Sequence, residues 1–211
     1  MNGSIVPNSS CNAAWPVAAR LAAGLVLMGG EITICWGAVH PRVDSEYRAH
    51  FISKPASCWI PQPLRGTARA QAPRGSFAVK DLVWPQSCAI LRAGWMLESW
   101  GAWSVGPAAI LRLPVGPQTR HVVLDLSAPG YLKHDQTLTI ATASGKPPVV
   151  AAVAPGGRAS VAITLESADV VDGWADLDIT IGAPRSPVSM GVSADDRLLG
   201  IGLLAVHLAD D

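Results

Sequence analysis

Trp174-Ala175-Asp176-Leu177-Asp178-Ile179-Thr180-Ile181 reads as a β-strand. Side chains on an extended chain alternate between two faces, so Leu177, Ile179 and Ile181 fall on one side. Asp176, Asp178 and Thr180 fall on the other. Trp174 joins the apolar side only if the pattern slips at Ala175, which predicts a bulge there. Such a strand needs an apolar layer beneath it and partners along its edges. Working outward, runs of similar type occur at Ser76–Trp84 (SFAVKDLVW), Ser87–Arg92, Gly101–Ser104 and Ala108–Leu113. Arg120–Leu126, Thr137–Ala143, Val149–Val153, Ala159–Leu165 and Arg197–Leu208 complete the series. Gly, Pro, Asp and Ser separate the runs, and Pro155-Gly156-Gly157 reads as a hairpin-like turn. About nine short strands with no convincing helix among them predict an all-β domain over 76–211, an antiparallel, jelly-roll-like β-sandwich.

The N-terminal third is different. Leu21–Val39 is apolar except for Glu31 and Thr33, which predicts a hydrophobic helix over 21–39 behind a short tail, 1–20. Its length matches the hydrocarbon core of a bilayer. Glu31 costs roughly 2–3 kcal/mol near the bilayer centre, and Leu21, Leu25, Val26, Leu27, Ile32, Ile34 and Val39 offset that. A cleaved signal peptide is the rival reading because Arg20 precedes the run, but no clean small-x-small cleavage site follows it. A buried amphipathic helix is a third reading. We read the segment as an uncleaved, single-pass inner-membrane anchor. Arg42, Arg48 and Lys54 favour a cytoplasmic C-terminal side, whereas a short tail before a β-rich domain favours a periplasmic one. Residues 40–75 read as a basic linker broken by Pro41, Pro55, Pro61, Pro63 and Pro73. Within it, Tyr47–Ile52 and Cys58-Trp59-Ile60 are expected to dock on the membrane or the domain.

Charge and cysteines narrow the chemistry. The net charge of zero hides seven Lys/Arg against three acids in residues 1–75, and nine against thirteen in 76–211. A neutral chain with an acidic main domain lacks the basic stripe that nucleic-acid binding needs. Cys58 and Cys88 can pair if the domain is extracytoplasmic; in a reducing compartment they are buried thiols. Cys11 and Cys35 lie before or within the apolar helix. There is no C-x-x-C motif and the five histidines are scattered, so neither a metal site nor a cofactor is expected. Asp169, Asp172, Asp176 and Asp178 lie close in sequence, as calcium ligands or, more simply, as a solvated strand face.

The densest motif is Gly94-Trp95-Met96-Leu97-Glu98-Ser99-Trp100-Gly101-Ala102-Trp103-Ser104. Trp95, Trp100 and Trp103 offer flat apolar faces for a sugar ring, and Glu98 offers acceptors for its hydroxyls. The opposing reading puts the tryptophans in the sandwich core. Trp100 and Trp103 are three apart, so in an unbroken strand they face opposite ways. Ser193, Asp195 and Arg197 form either a loop-positioning Asp–Arg pair or the polar part of a cleft. No spacing selects a pair of catalytic carboxylates, and no nucleophile elbow, phosphate loop or Ser/His/Asp signature is present, so an enzyme is not expected.

Two stretches together resemble a known pattern. Residues 94–104 resemble the G-W-x-x-x-E-x-W-G-x-W-[ST] signature of β-sandwich modules in bacterial surface-polysaccharide proteins. Here the glutamate comes three residues after the first tryptophan, and Met96-Leu97 stand where the modules commonly carry polar residues or proline. Residues 186–203 resemble the S-P-x-x-x-G-x-S-x-D-x-R-x-L-G-I ending of the same modules. The resemblance covers roughly residues 76–209. It implies a non-catalytic, sugar-associated accessory role; together with the apolar helix, the expectation is a membrane-anchored accessory protein of envelope polysaccharide biosynthesis or export. Its expected partners are a polysaccharide or oligosaccharide, a membrane glycosyltransferase or export protein, and the membrane. The ligand-binding candidates are Trp95, Glu98, Trp100, Trp103, Asp195 and Arg197. The alternative is a structural subunit that scaffolds or regulates a glycosyltransferase without holding sugar itself.

Overall fold

Alternation of apolar and polar side chains builds most of the domain. The computed structural model describes residues 17–39, 66, 71–73 and 75–210. The tail before residue 17, most of the 40–75 segment, the Tyr47–Ile52 fragment and Cys58 lie outside the described residues. The chain divides into two compact units, Met1–Asp44 and Ser45–Asp211.

In the first unit the expected helix is present and slightly longer, as α1 (Val17–Val39). Leu25, Val26, Leu27, Met28, Ile34 and Trp36 are all exposed on it. Among the described residues, no helix is long and apolar enough to cross a membrane.

In the second unit twelve strands form two six-stranded sheets, and every described pairing is antiparallel. The first sheet holds β3 (Trp95–Glu98), β4 (Gly101–Val105), β12 (Leu199–Asp210), β6 (Thr119–Ser127) and β9 (Arg158–Thr164) in that order, with β1 (Phe77–Ala78) also on β12. The second holds β2 (Leu91–Ala93), β5 (Ala108–Pro114), β11 (Trp174–Ile181), β7 (Gln136–Ala141) and β8 (Val149–Val153), with β10 (Val170–Val171) also on β11. Val122, Leu124 and Leu126 of β6 and Leu177, Ile179 and Ile181 of β11 belong to one core between the sheets. Burying each such side chain contributes about 1.5–3 kcal/mol.

Strand β12 changes its inward set halfway along, from Ile201 and Leu203 to Val206. A register shift against β6 between Leu203 and Ala205 accounts for the change, because one inserted residue reverses the faces. A second irregularity, against β4 between Leu199 and Gly202, is filled by Ser104, whose buried hydroxyl accepts the Ile201 N–H at 2.8 Å.

Four expectations are corrected. Ser87–Arg92 is not a strand: α2 (Gln86–Ile90) precedes the short β2. Ser87, Cys88, Ala89 and Ile90 are buried in succession, and a run without alternation does not distinguish a buried helical turn from a strand. Ser76–Trp84 shortens to β1 and a 3-10 turn, Val79–Asp81. β11 has no bulge at Ala175; it pairs with β5 in unbroken register, Ala175 fills the inner position, and Trp174 lies on the Asp176 side. Pro155-Gly156-Gly157 does not close a hairpin, because β8 and β9 belong to different sheets and the turn crosses between them. A true tight hairpin joins β10 to β11 instead, where Asp172 and Gly173 both take positive φ, 53° and 76°.

Cys88 is disulfide-bonded. Cys58, the partner open to it from the sequence if the domain is extracytoplasmic, lies outside the described residues.

Candidate functional site

The tryptophan motif is the place where the chain changes sheets. β2 lies in one sheet and β3 in the other, with Gly94 alone between them. Gly94 has φ 71°, and a Cβ there would stand 2.2 Å from the Ala108 carbonyl oxygen, so only glycine fits this corner. Trp95 enters immediately afterwards and points into the core, 1 % exposed. Its indole N–H donates to the Ile110 carbonyl across the sandwich at 3.0 Å. Trp95 is therefore a core residue with no face left for a ligand, in contrast to its place among the binding candidates.

Trp100 and Trp103 are placed differently. β3 and β4 are joined by a turn at Ser99-Trp100, with Glu98 opposite Gly101. The turn breaks the alternation, and both rings meet edge-to-face, 4.8 Å between centroids and 69° between planes. Both are half-buried. Trp103 sits opposite Met96 on β3 and Gly202 on β12. The Trp100 ring covers Gly202: a Cβ there would be 2.7 Å from the ring and 2.5 Å from the Ser127 hydroxyl. Gly101 plays the same part below the turn, since its Cβ would meet the Leu203 carbonyl oxygen at 2.4 Å. The sequence reading did not include Gly202 or Ser127 in the site. A glycine inside an otherwise apolar strand signals close approach, and Gly200-Ile201-Gly202 carried that signal.

The polar candidates converge. Arg197 holds Asp195 through two guanidinium nitrogens, Nη2 at 2.7 Å from Oδ2 and Nε at 3.0 Å from Oδ1, and its Nη1 donates to Glu98 Oε1 at 2.9 Å. Residues distant in sequence thus form one network, and the Asp195–Arg197 pair matches the loop-positioning reading. Ser193 joins it by accepting the Asp195 N–H at 3.3 Å. The hydrogen bonds from Arg197 hold the Asp195 carboxyl below the usual carboxylate range. The same bonds, to Asp195 and then Glu98, raise the already high pKa of Arg197. Side chains of Glu98 and Arg197 each keep 32 % of their surface exposed. Tyr131, absent from the sequence reading, stands beside this network; burial raises its phenol pKa and its hydroxyl donates to the Arg185 carbonyl at 3.0 Å.

Other acids have structural partners. Asp169 is buried, and its carboxylate accepts amide N–H groups of Ser144 at 2.6 Å and Glu166 at 2.8 Å. Burial pushes its pKa up, but these hydrogen bonds outweigh that and leave it lowered. Asp176 is gripped by Arg112 in a fork, both contacts at 2.6 Å. Among the described residues no three His, Cys, Asp or Glu converge as a metal site. Ser160, Asp125 and His207 meet across β9, β6 and β12, a cluster the sequence did not reveal. The Ser160 hydroxyl donates to Asp125 Oδ1 at 2.6 Å, and His207 Nε2 lies 2.9 Å from Oδ2. The serine bond and then the histidine contact hold the Asp125 pKa down. With the carboxylate in the middle, the imidazole is not positioned to take the serine proton, so this is not a nucleophile–base pair.

Three solved structures show what this chain is similar to. A carbohydrate-binding module, CBM36, in complex with calcium and xylotriose matches with 8 % identity and a TM-score of 0.30, over 64 % of this chain and 100 % of that one. CBM35 of Abf62 from Cellvibrio japonicus matches with 12 % identity and a TM-score of 0.31, over 66 % and 93 %. The family GH115 4-O-methyl-α-glucuronidase BtGH115A matches with 17 % identity and a TM-score of 0.32, over 74 % of this chain but 18 % of the enzyme. No protein-family model matches the chain, and no curated protein does. The site is therefore read on its own geometry.

Proposed function

We propose that the sandwich is a non-catalytic glycan-binding domain. It would be held at the inner membrane by α1, with the domain on the periplasmic side, and would serve a machinery for envelope polysaccharide biosynthesis or export. The observation that carries the reading is the pairing of Trp100 and Trp103, half-open beside the Glu98–Arg197–Asp195 network. An indole face takes the apolar side of a pyranose, and a fixed carboxylate and guanidinium take its hydroxyls by charge-assisted hydrogen bonds of about 1.5–3 kcal/mol each. Glu98 uses one oxygen for Arg197, which leaves the other for a sugar hydroxyl. The exposed apolar side chains of α1 support attachment to a membrane surface.

Tryptophan fluorescence of the full chain, titrated with chemically varied oligosaccharides, tests this reading. A saturable change that disappears in Trp100→Ala and Trp103→Ala variants supports it. No response to any of them, with both rings shielded from acrylamide, refutes it.

A second reading rests on a specific surface. β3 is the edge of its sheet, and Met96 and Leu97 on it are 42 % and 38 % exposed. An apolar edge suits a protein partner such as a glycosyltransferase. Leu97→Asp would then abolish partner association and leave sugar titrations unchanged.

A further inference from the structure

The domain carries more acids than bases, and it matches Arg112 and Arg197 to carboxylates. One concavity gathers cations instead. A hollow of about 380 Å³ lies between residues 132–136 and the loop 183–190. Leu132 and Met190 contribute apolar surface to it, while Lys133, His134 and Arg185 stand around it with a single acid, Asp135. All four of these polar side chains are exposed. Neither Lys133 nor Arg185 has an ion-pair partner among the described residues. The excess is two fixed cations over one carboxylate, with an imidazole beside them.

The walls are held in place before any ligand arrives. The Arg185 backbone is bonded both ways to Leu199, at 3.0 and 3.1 Å, and its carbonyl also accepts the Tyr131 hydroxyl. Ser189 donates through both its amide and its hydroxyl to Ser186. The same loop leads into the tryptophan site, because the Val188 N–H donates to the Asp195 carbonyl at 2.9 Å. A preorganised hollow with an apolar lining and unmatched cations is suited to a ring that carries an anionic group.

We propose that this hollow is a subsite for an acidic sugar residue, with Lys133 and Arg185 binding its carboxylate or phosphate oxygens and Leu132 and Met190 lining the ring's apolar side. The proposal rests on the glycan-binding reading and specifies the ligand class: an anionic rather than a neutral glycan.

Calorimetric titration of the full chain in detergent with three ligands tests it: trigalacturonate, its neutral methyl ester, and glucose 6-phosphate. The variants are a Lys133→Gln/Arg185→Gln double substitution, confined to exposed side chains, and Trp100→Ala. We expect the double variant to weaken trigalacturonate at least about tenfold, as loss of charge-assisted bonds implies, and to leave the ester unaffected. A parallel loss for glucose 6-phosphate assigns phosphate as well as carboxylate; its absence with trigalacturonate bound assigns the carboxylate alone. Equal binding of acid and ester, an unaffected double variant, or no binding of either charged sugar overturns the subsite. If the double variant binds normally but Trp100→Ala does not, the subsite falls and the tryptophan platform stands. If the reverse holds, the subsite stands and the platform falls.

Discussion

Trp95 and Trp100 belong to the same hairpin and live in different environments. Trp95 follows the corner glycine, fills the space between the sheets and has its one donor satisfied by Ile110. Trp100 caps the turn, rests on a glycine of β12 and meets Trp103 at the surface. The first holds two sheets together. The second presents a ring at modest structural cost. A motif dense in tryptophan is thus neither wholly core nor wholly cradle, and the division falls within eleven residues.

Substitution measures that division most directly. Trp95→Ala should cost about 3–5 kcal/mol in urea unfolding, because it opens a core cavity and removes the indole hydrogen bond to the Ile110 carbonyl. Trp100→Ala should cost about 1 kcal/mol and act mainly on ligand binding. Equal losses would erase the contrast. Next in size, Gly94→Ala should lose about 1–3 kcal/mol, since the added Cβ meets backbone in a left-handed conformation. The same exchange at Gly106, with φ 90° but open space around it, separates backbone strain from collision.

The contrast extends to the acids. Asp169 is buried and bonded to amides, whereas Asp195 is held at the surface by an arginine. Both have lowered pKa values in the folded state. Each therefore adds stability that is present above the unfolded carboxylate value of about 3.9 and is lost as pH falls through the lower folded value. Asp169→Asn should cost about 1–2 kcal/mol at neutral pH and flatten the acid limb of the stability profile. Asp195→Asn should change that limb less, because solvent screens an exposed pair. Smallest of all, Glu98→Gln should change stability by no more than about 1 kcal/mol while weakening sugar binding.

Much of this was legible from residue patterns. The alternation in β6, β9 and β11 was read within a residue or two of the observed strands, since a period of two is hard to mistake where one face is buried. Asp195, Arg197 and Glu98 stand in the two motifs that carry the resemblance, whereas their mutual contact is not legible there. What stayed hidden depended on long-range partners. Ala175 is in register because β5 lies beside it, and residues 86–90 curl into a helix that gives Ser87, Cys88, Ala89 and Ile90 each a buried place. Trp100 meets Trp103 because Trp100 lies in the turn and not in the strand, and three-residue spacing alone does not show where a strand begins.

β12 lies at the middle of its sheet yet follows every other strand among the described residues. During synthesis, β3, β4, β6 and β9 all emerge before the strand that joins β4 to β6. The other sheet has all its members by Ile181. The polypeptide therefore gains one sheet early and completes the second in a late, long-range step, the kind of contact that slows folding and exposes intermediates. Gly202, the seat of Trp100, and Arg197, the partner of Glu98, arrive with that last step. The proposed binding surface therefore assembles only when β12 docks, and a chain cut before Arg197 lacks both Gly202 and the arginine that meets Glu98.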